Sequence, residues 1–125
     1  MLILIRPFVG FVLLALTCHP AAAVETFAGP VEARVLRVID GDTFVAEAKV
    51  WPGHHVRTSV RIRGIDAPEM RSRCKAEKQA ARRSRAVLAR LIGDGPVTIS
   101  AVGGAKYYGR VLADVADANG RPVAT

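Results

Sequence analysis

The chain has 125 residues, with 18 lysines and arginines against 11 aspartates and glutamates, a formal net charge of +7 and 50% hydrophobic residues. This length leaves room for one small domain and not two, and its two cysteines, Cys18 and Cys74, cannot form the framework of a disulfide-stapled fold. The positive balance favours polyanionic partners, but basicity alone identifies none.

The first 23 residues read as an export signal. Arg6 is their only charge, an apolar run follows from Phe8 to Leu16, and Ala21-Ala22-Ala23 offers small residues for cleavage. The run is short for a membrane span, which needs about 20 apolar residues, and an uncleaved anchor is the rival reading. Thr17 before Cys18 makes a poor lipidation signal. Cleavage is expected near Ala23/Val24, giving a secreted or periplasmic domain over 24–125 with no membrane association once the signal is gone. That domain carries 17 basic against 11 acidic residues, a net of about +6. It retains Cys74 alone, which is expected to be a buried small apolar residue. A nucleophilic thiol would want a base, and the only histidines left are the adjacent His54 and His55.

Residues 31–50 hold two strand-type runs broken at Asp40-Gly41-Asp42. Val31, Ala33 and Val35 alternate in the first, and Phe44, Ala46, Ala48 and Val50 in the second. Pro52-Gly53 is a turn signal, so 43–50 and 56–64 should pair as a hairpin. In its second arm Val56, Thr58, Val60 and Ile62 share one face, while Arg57, Ser59, Arg61 and Arg63 share the other. From Met70 to Ile92 the period turns helical, with Ala80, Val87, Leu88 and Leu91 as the apolar stripe and Ala76 and Ser84 filling it. Gly93 stops the helix and Asp94-Gly95-Pro96 completes the break. Two shorter strands, 96–102 and 110–115, flank a loop bracketed by glycines. The helix also carries a basic stripe of Arg71, Lys75, Lys78, Arg82 and Arg85. A solvated face is its simpler account, and a nucleic-acid track is the alternative.

Three strands, a helix and two strands suit a mainly β, α+β fold: a small five-stranded Greek-key barrel of the oligonucleotide-binding type, with the helix between strands three and four.

The unusual residues fall on three segments: Asp40-Gly41-Asp42, Asp66-Ala67-Pro68-Glu69 and Lys106-Tyr107-Tyr108-Gly109-Arg110. Each has an ordinary account, since Asp-Gly is common in turns and acids suit a helix N-terminus. Together they hold more. Hard divalent cations want carboxylate and carbonyl oxygens, and a phosphodiester wants guanidinium forks. Two acidic loops and separately placed arginines supply both, provided the fold brings them together.

In this order, VLRVIDGDTF, VRIRGIDAPE and KYYGRVLADV resemble the thermonuclease (staphylococcal-nuclease-like) family over about Val31 to Val115. The resemblance implies an exported, calcium-dependent nuclease that hydrolyses phosphodiester bonds of single- or double-stranded DNA and RNA, acting as a monomer. By position, Asp42 and Asp66 would be Ca2+ ligands, aided by the main-chain carbonyl of Ala67. The family often has Thr there, a change that a main-chain ligand tolerates. Glu69 would be the general base for the attacking water. Arg61, five residues before Asp66, would be one catalytic arginine in preference to Arg63, and Arg110 would be the other. Tyr108, with Lys106 and Tyr107 beside it, would contact substrate.

The chain departs from the family in stopping at Thr125, where relatives usually continue into two further helices. Exposed apolar surface and marginal stability are expected for that reason. A non-catalytic oligonucleotide-binding barrel is the competing reading. Such binders rely on stacking aromatics, and after the signal the chain has only Phe27, Phe44, Trp51, Tyr107 and Tyr108.

Overall fold

A computed structural model describes Ile3 and residues 19–21, 25–105 and 109–124. The apolar run of the expected export signal and its cleavage site lie outside the described residues. So do Lys106, Tyr107 and Tyr108.

The elements run β1 (Thr26–Phe27), β2 (Val31–Asp40), β3 (Thr43–Trp51), β4 (His54–Ile62), helix α1 (Lys75–Ile92), β5 (Val97–Gly104) and β6 (Arg110–Ala116), and alternation of branched and aromatic residues produces the five long strands where they were expected. Five of the six strands close a barrel in the order β5-β2-β3-β4-β6, with β6 bonded again to β5. All neighbours are antiparallel except β4 and β6. The fold class is therefore the expected α+β barrel with one helix after its third long strand. The two-residue β1, not foreseen from the sequence, pairs with the far end of β5.

Inward positions supply the core: Phe44, Val60, Ile62, Val97, Ile99 and Ala113 are all within a few per cent of complete burial. Pro52 fixes the first corner of the β3–β4 turn, and Gly53 takes the φ of 76° that the second corner needs. At the chain's end, Asp117 accepts hydrogen bonds from the amides of Asn119 and Arg121, both at 2.9 Å. That turn folds the chain back so that Val123 donates to the Val115 carbonyl and enters the core.

Helix α1 closes the barrel end formed by the β2–β3 turn. Three expectations about it change. It begins at Lys75 rather than Met70, because Ser72 ties down the approach: its hydroxyl bonds the Glu77 carboxylate and accepts from the Cys74 amide. Cys74, expected to be buried, is exposed at this N-cap. The buried stripe is Ala81, Leu88 and Ile92. Val87 and Leu91, which the period alone assigns to the core, stay 44% and 50% exposed. The helix thus presents an apolar flank to solvent, and Lys75, Lys78, Arg82 and Arg85 are exposed beside it. Among the described residues no helix is long and apolar enough to cross a membrane.

Candidate functional site

The β2–β3 turn can approach α1 only because residue 41 lacks a side chain. A Cβ at Gly41 would stand 2.6 Å from the Cβ of Ser84 and 2.7 Å from that of Ala67. This close approach sets Asp42 against the Asp66–Glu69 segment. Asp42 is buried, and each oxygen of its carboxylate accepts a hydrogen bond. The Thr43 hydroxyl donates to Oδ1 at 2.8 Å and the Ala67 amide to Oδ2 at 3.1 Å, while its own amide donates to Asp40 at 3.2 Å.

Arg61 projects from the outer face of β4 toward the same acids. Its Nη2 lies 3.4 Å from Asp42 Oδ2, 3.4 Å from Asp66 Oδ1 and 3.4 Å from the Ile65 carbonyl. Arg110 begins β6. The parallel register sets Arg110 opposite Ser59 and Leu112 opposite Arg61, so the two arginines are diagonal neighbours on adjoining strands. One cavity of about 340 Å³ is lined by Asp42, Arg61, Asp66, Ala67, Glu69 and Arg110. Asp66 and Glu69 are exposed at its edge, and the Asp66 side chain is 97% accessible.

Arg63 turns elsewhere. It pairs with Asp114 at 2.9 Å and donates to the Ala101 carbonyl at 2.9 Å, which ties β4 to β5 and β6. The two arginines that look interchangeable in the sequence therefore differ: one lines the cavity and the other fastens the barrel.

Two carboxylates so close in sequence titrate as a pair. Burial pushes Asp40 up to about 6, helped by its hydrogen bond to Asp42 and by the charge there. Burial alone would raise Asp42 too. Hydrogen bonds from Asp40, the Ala67 amide and Thr43, with the Arg61 charge, outweigh it and hold Asp42 below the usual carboxylate range.

A divalent cation fits the chemistry of this donor set. Arg61 Nη2 marks a point where two carboxylates and a main-chain carbonyl converge, and all three donors are the hard oxygens such an ion selects. Three oxygens are few against the usual six to eight, so water or ligand oxygens would supply the rest. Among the described residues no group of three histidine, cysteine or acidic side chains forms a dedicated metal cluster. Ala67 meets Asp42 through its amide, which donates to the carboxylate, and the carbonyl at the convergence point belongs to Ile65.

Sequence reasoning passed over Asp40, Thr43 and Ile65. Asp40 stood in the Asp-Gly-Asp motif and was open to notice. Thr43 and the Ile65 carbonyl gave no chemical signal, because a buried threonine and a peptide oxygen look like any others. Neither any protein-family model nor any curated protein matches the chain, so the site is read on its own geometry.

Proposed function

We propose that this protein is a divalent-cation-assisted phosphodiester hydrolase acting on nucleic acid, with calcium as the cation. The observation that carries this reading is the single cavity shared by Asp42, Asp66, Glu69, Arg61 and Arg110. Two acids, a further exposed carboxylate and two guanidinium groups around one space suit a phosphate group better than any neutral ligand. A purely binding surface gains nothing from acids in its phosphate pocket.

Asp42 and Asp66, with a main-chain carbonyl of the 65–67 segment, would hold the cation. When bound, it would act as a Lewis acid toward a phosphoryl oxygen. Asp42 is fixed for this by Thr43 and Ala67, whereas Asp66 is free to adjust. Arg61 sits 3.4 Å from each acid, long for charge-assisted hydrogen bonds, so turning toward a phosphate oxygen costs it little. Arg61 and Arg110 then clamp two sides of the phosphodiester and offset the charge that grows as water attacks. Glu69, exposed on the cavity rim, would take the proton from that water. Export would bring the enzyme to nucleic acid outside the cytoplasm.

The test is cleavage of DNA and RNA by the purified chain with calcium, with a chelator, and with Glu69→Gln. Activity that needs calcium and collapses in the variant is expected. Cleavage undiminished by chelator removes the cation from the mechanism, and cleavage undiminished in Glu69→Gln removes that carboxylate. Oligonucleotide binding with no cleavage under any condition overturns the enzyme reading in favour of a binding module.

A further inference from the structure

The barrel end opposite α1 is open. Inward-facing residues of five strands, among them Val31, Ile99 and Val111, line a cleft of about 560 Å³ there. Its rim is apolar and accessible: Phe27 is 64% exposed, Trp51 60%, Val56 49% and Val50 39%. Single exposed apolar residues mean little, but four around one concave apolar surface mark an interaction site. Thr58 is the one polar side chain in the lining, and its hydroxyl faces the Gly109 carbonyl at 3.4 Å. A nucleobase would find almost nothing to pair its polar edge with, whereas hydrocarbon needs no partner.

The charge around the mouth narrows the choice further. Lys49, His54, His55 and Arg57 are exposed on the two arms of the β3–β4 hairpin, beside Trp51 and Val56. Of the nearby acids, Glu47 is held by Arg34 at 2.8 Å, leaving Glu25 beside β1 and Glu32 next to Val31 on β2. Aromatic and aliphatic side chains flanked on the hairpin side by cations match the boundary between acyl chains and anionic headgroups. The chain enters the fold at β1, so Phe27 follows closely behind the apolar run 8–16. An exported chain would emerge with this rim the part of its fold nearest the bilayer.

We propose that the open mouth of the barrel docks peripherally on an anionic lipid surface, with Phe27, Val50, Trp51 and Val56 entering the acyl boundary and Lys49 and Arg57 engaging the headgroups. The sequence alone points away from a membrane once the signal is removed, and the mouth is the observation that reverses this. The inference is independent of the hydrolase reading, because it uses none of the cavity residues.

Trp51 is the only tryptophan in the chain and stands on the rim, so its fluorescence reports the contact directly. The full chain is mixed with phosphatidylglycerol vesicles, with phosphatidylcholine vesicles, and with vesicles brominated along their acyl chains. Expected are a blue shift and bromine quenching on the anionic vesicles, much weaker on the neutral ones. Both should be lost in Phe27→Glu/Val56→Glu, which alters two exposed side chains and carries the same apolar N-terminal run. Lys49→Gln/Arg57→Gln should weaken binding roughly tenfold or more, as should raised salt. Absence of quenching in the parent chain overturns the proposal, and so does quenching that survives Phe27→Glu/Val56→Glu. A Trp51 response to oligonucleotide but not to vesicles assigns the mouth to nucleic acid instead. A concentration-dependent shift without vesicles assigns it to a second copy of the chain.

Discussion

Replacing Gly41 with alanine asks how tightly the β2–β3 turn must press against its neighbours. The new methyl would lie 2.6 Å from Ser84 Cβ and 2.7 Å from Ala67 Cβ, where carbon atoms prefer ~3.5–4.0 Å. Each contact must open by roughly 1 Å, and neither is the far end of a flexible side chain. Ser84 is rooted in α1, and Ala67 is rooted in the segment that carries Asp66 and Glu69. Overpacking of this kind costs about 1–3 kcal/mol, roughly a fivefold to hundredfold loss in the ratio of folded to unfolded chain. Urea unfolding followed by far-UV circular dichroism measures the cost as a lower midpoint at unchanged slope. Ala67→Gly removes one of the two colliding carbons, so Gly41→Ala/Ala67→Gly should recover ~0.5–3 kcal/mol relative to the sum of the single changes. A Gly41→Ala midpoint indistinguishable from the parent refutes the close-approach argument, and strict additivity refutes the part assigned to Ala67.

Three further outcomes follow from contacts described above. Carboxyl NMR in the presence of chelator should show Asp40 titrating near about 6 rather than at the ordinary 3.8, and Asp42 below the ordinary value. An acid raised in the folded state binds its proton more tightly there, so Asp40's contribution to stability is present at low pH and is lost as pH climbs from 3.8 through about 6. Asp42 acts oppositely, its contribution fading as pH falls below 3.8. Urea midpoints of Asp40→Asn should therefore decline less than the parent's over the Asp40 interval. Arg61→Ala should lower cleavage by ~10²–10³ with little loss of stability, while Arg63→Ala should leave cleavage rates intact and cost about 1–2 kcal/mol in urea. Asp117→Ala, which deprives two backbone amides of their acceptor, should cost about 1–2 kcal/mol and loosen Val123, read as faster hydrogen exchange at its amide.

The strands and the barrel class were legible because period-two alternation is a local property, visible in Phe44, Ala46 and Ala48 without knowledge of the fold. The helix was legible as a helix, and Leu88 as part of its buried stripe, but the rest of that stripe was not. Ala80, Val87 and Leu91 form as good a stripe as Ala81, Leu88 and Ile92, and only the position of the barrel decides which is covered. Its start was misjudged because Ser72 and Glu77 organise the approach through side-chain bonds that the apolar period does not register. At the site, acids and arginines announced themselves by type. Their meeting did not, since it depends on β4 and β6 pairing in parallel across a long stretch of intervening chain. The choice of Arg61 over Arg63 came from the family resemblance, which Arg61 matches by lying five residues before Asp66, and the geometry separates the two by their partners. The Ile65 carbonyl could not have been picked out, because every residue carries one.

Strand β6 follows all the others in the chain, yet it is bonded on both sides, to β4 and to β5. Arg110 opens it, so one wall of the cavity lined by Asp42, Arg61 and Glu69 belongs to the last of the described strands. A polypeptide still threading out of a ribosome or an export channel holds its acids on early hairpins with the seam of the barrel unclosed. The order of manufacture thus acts as a catch: a nascent form that lacks β6 cannot set Arg110 beside Arg61.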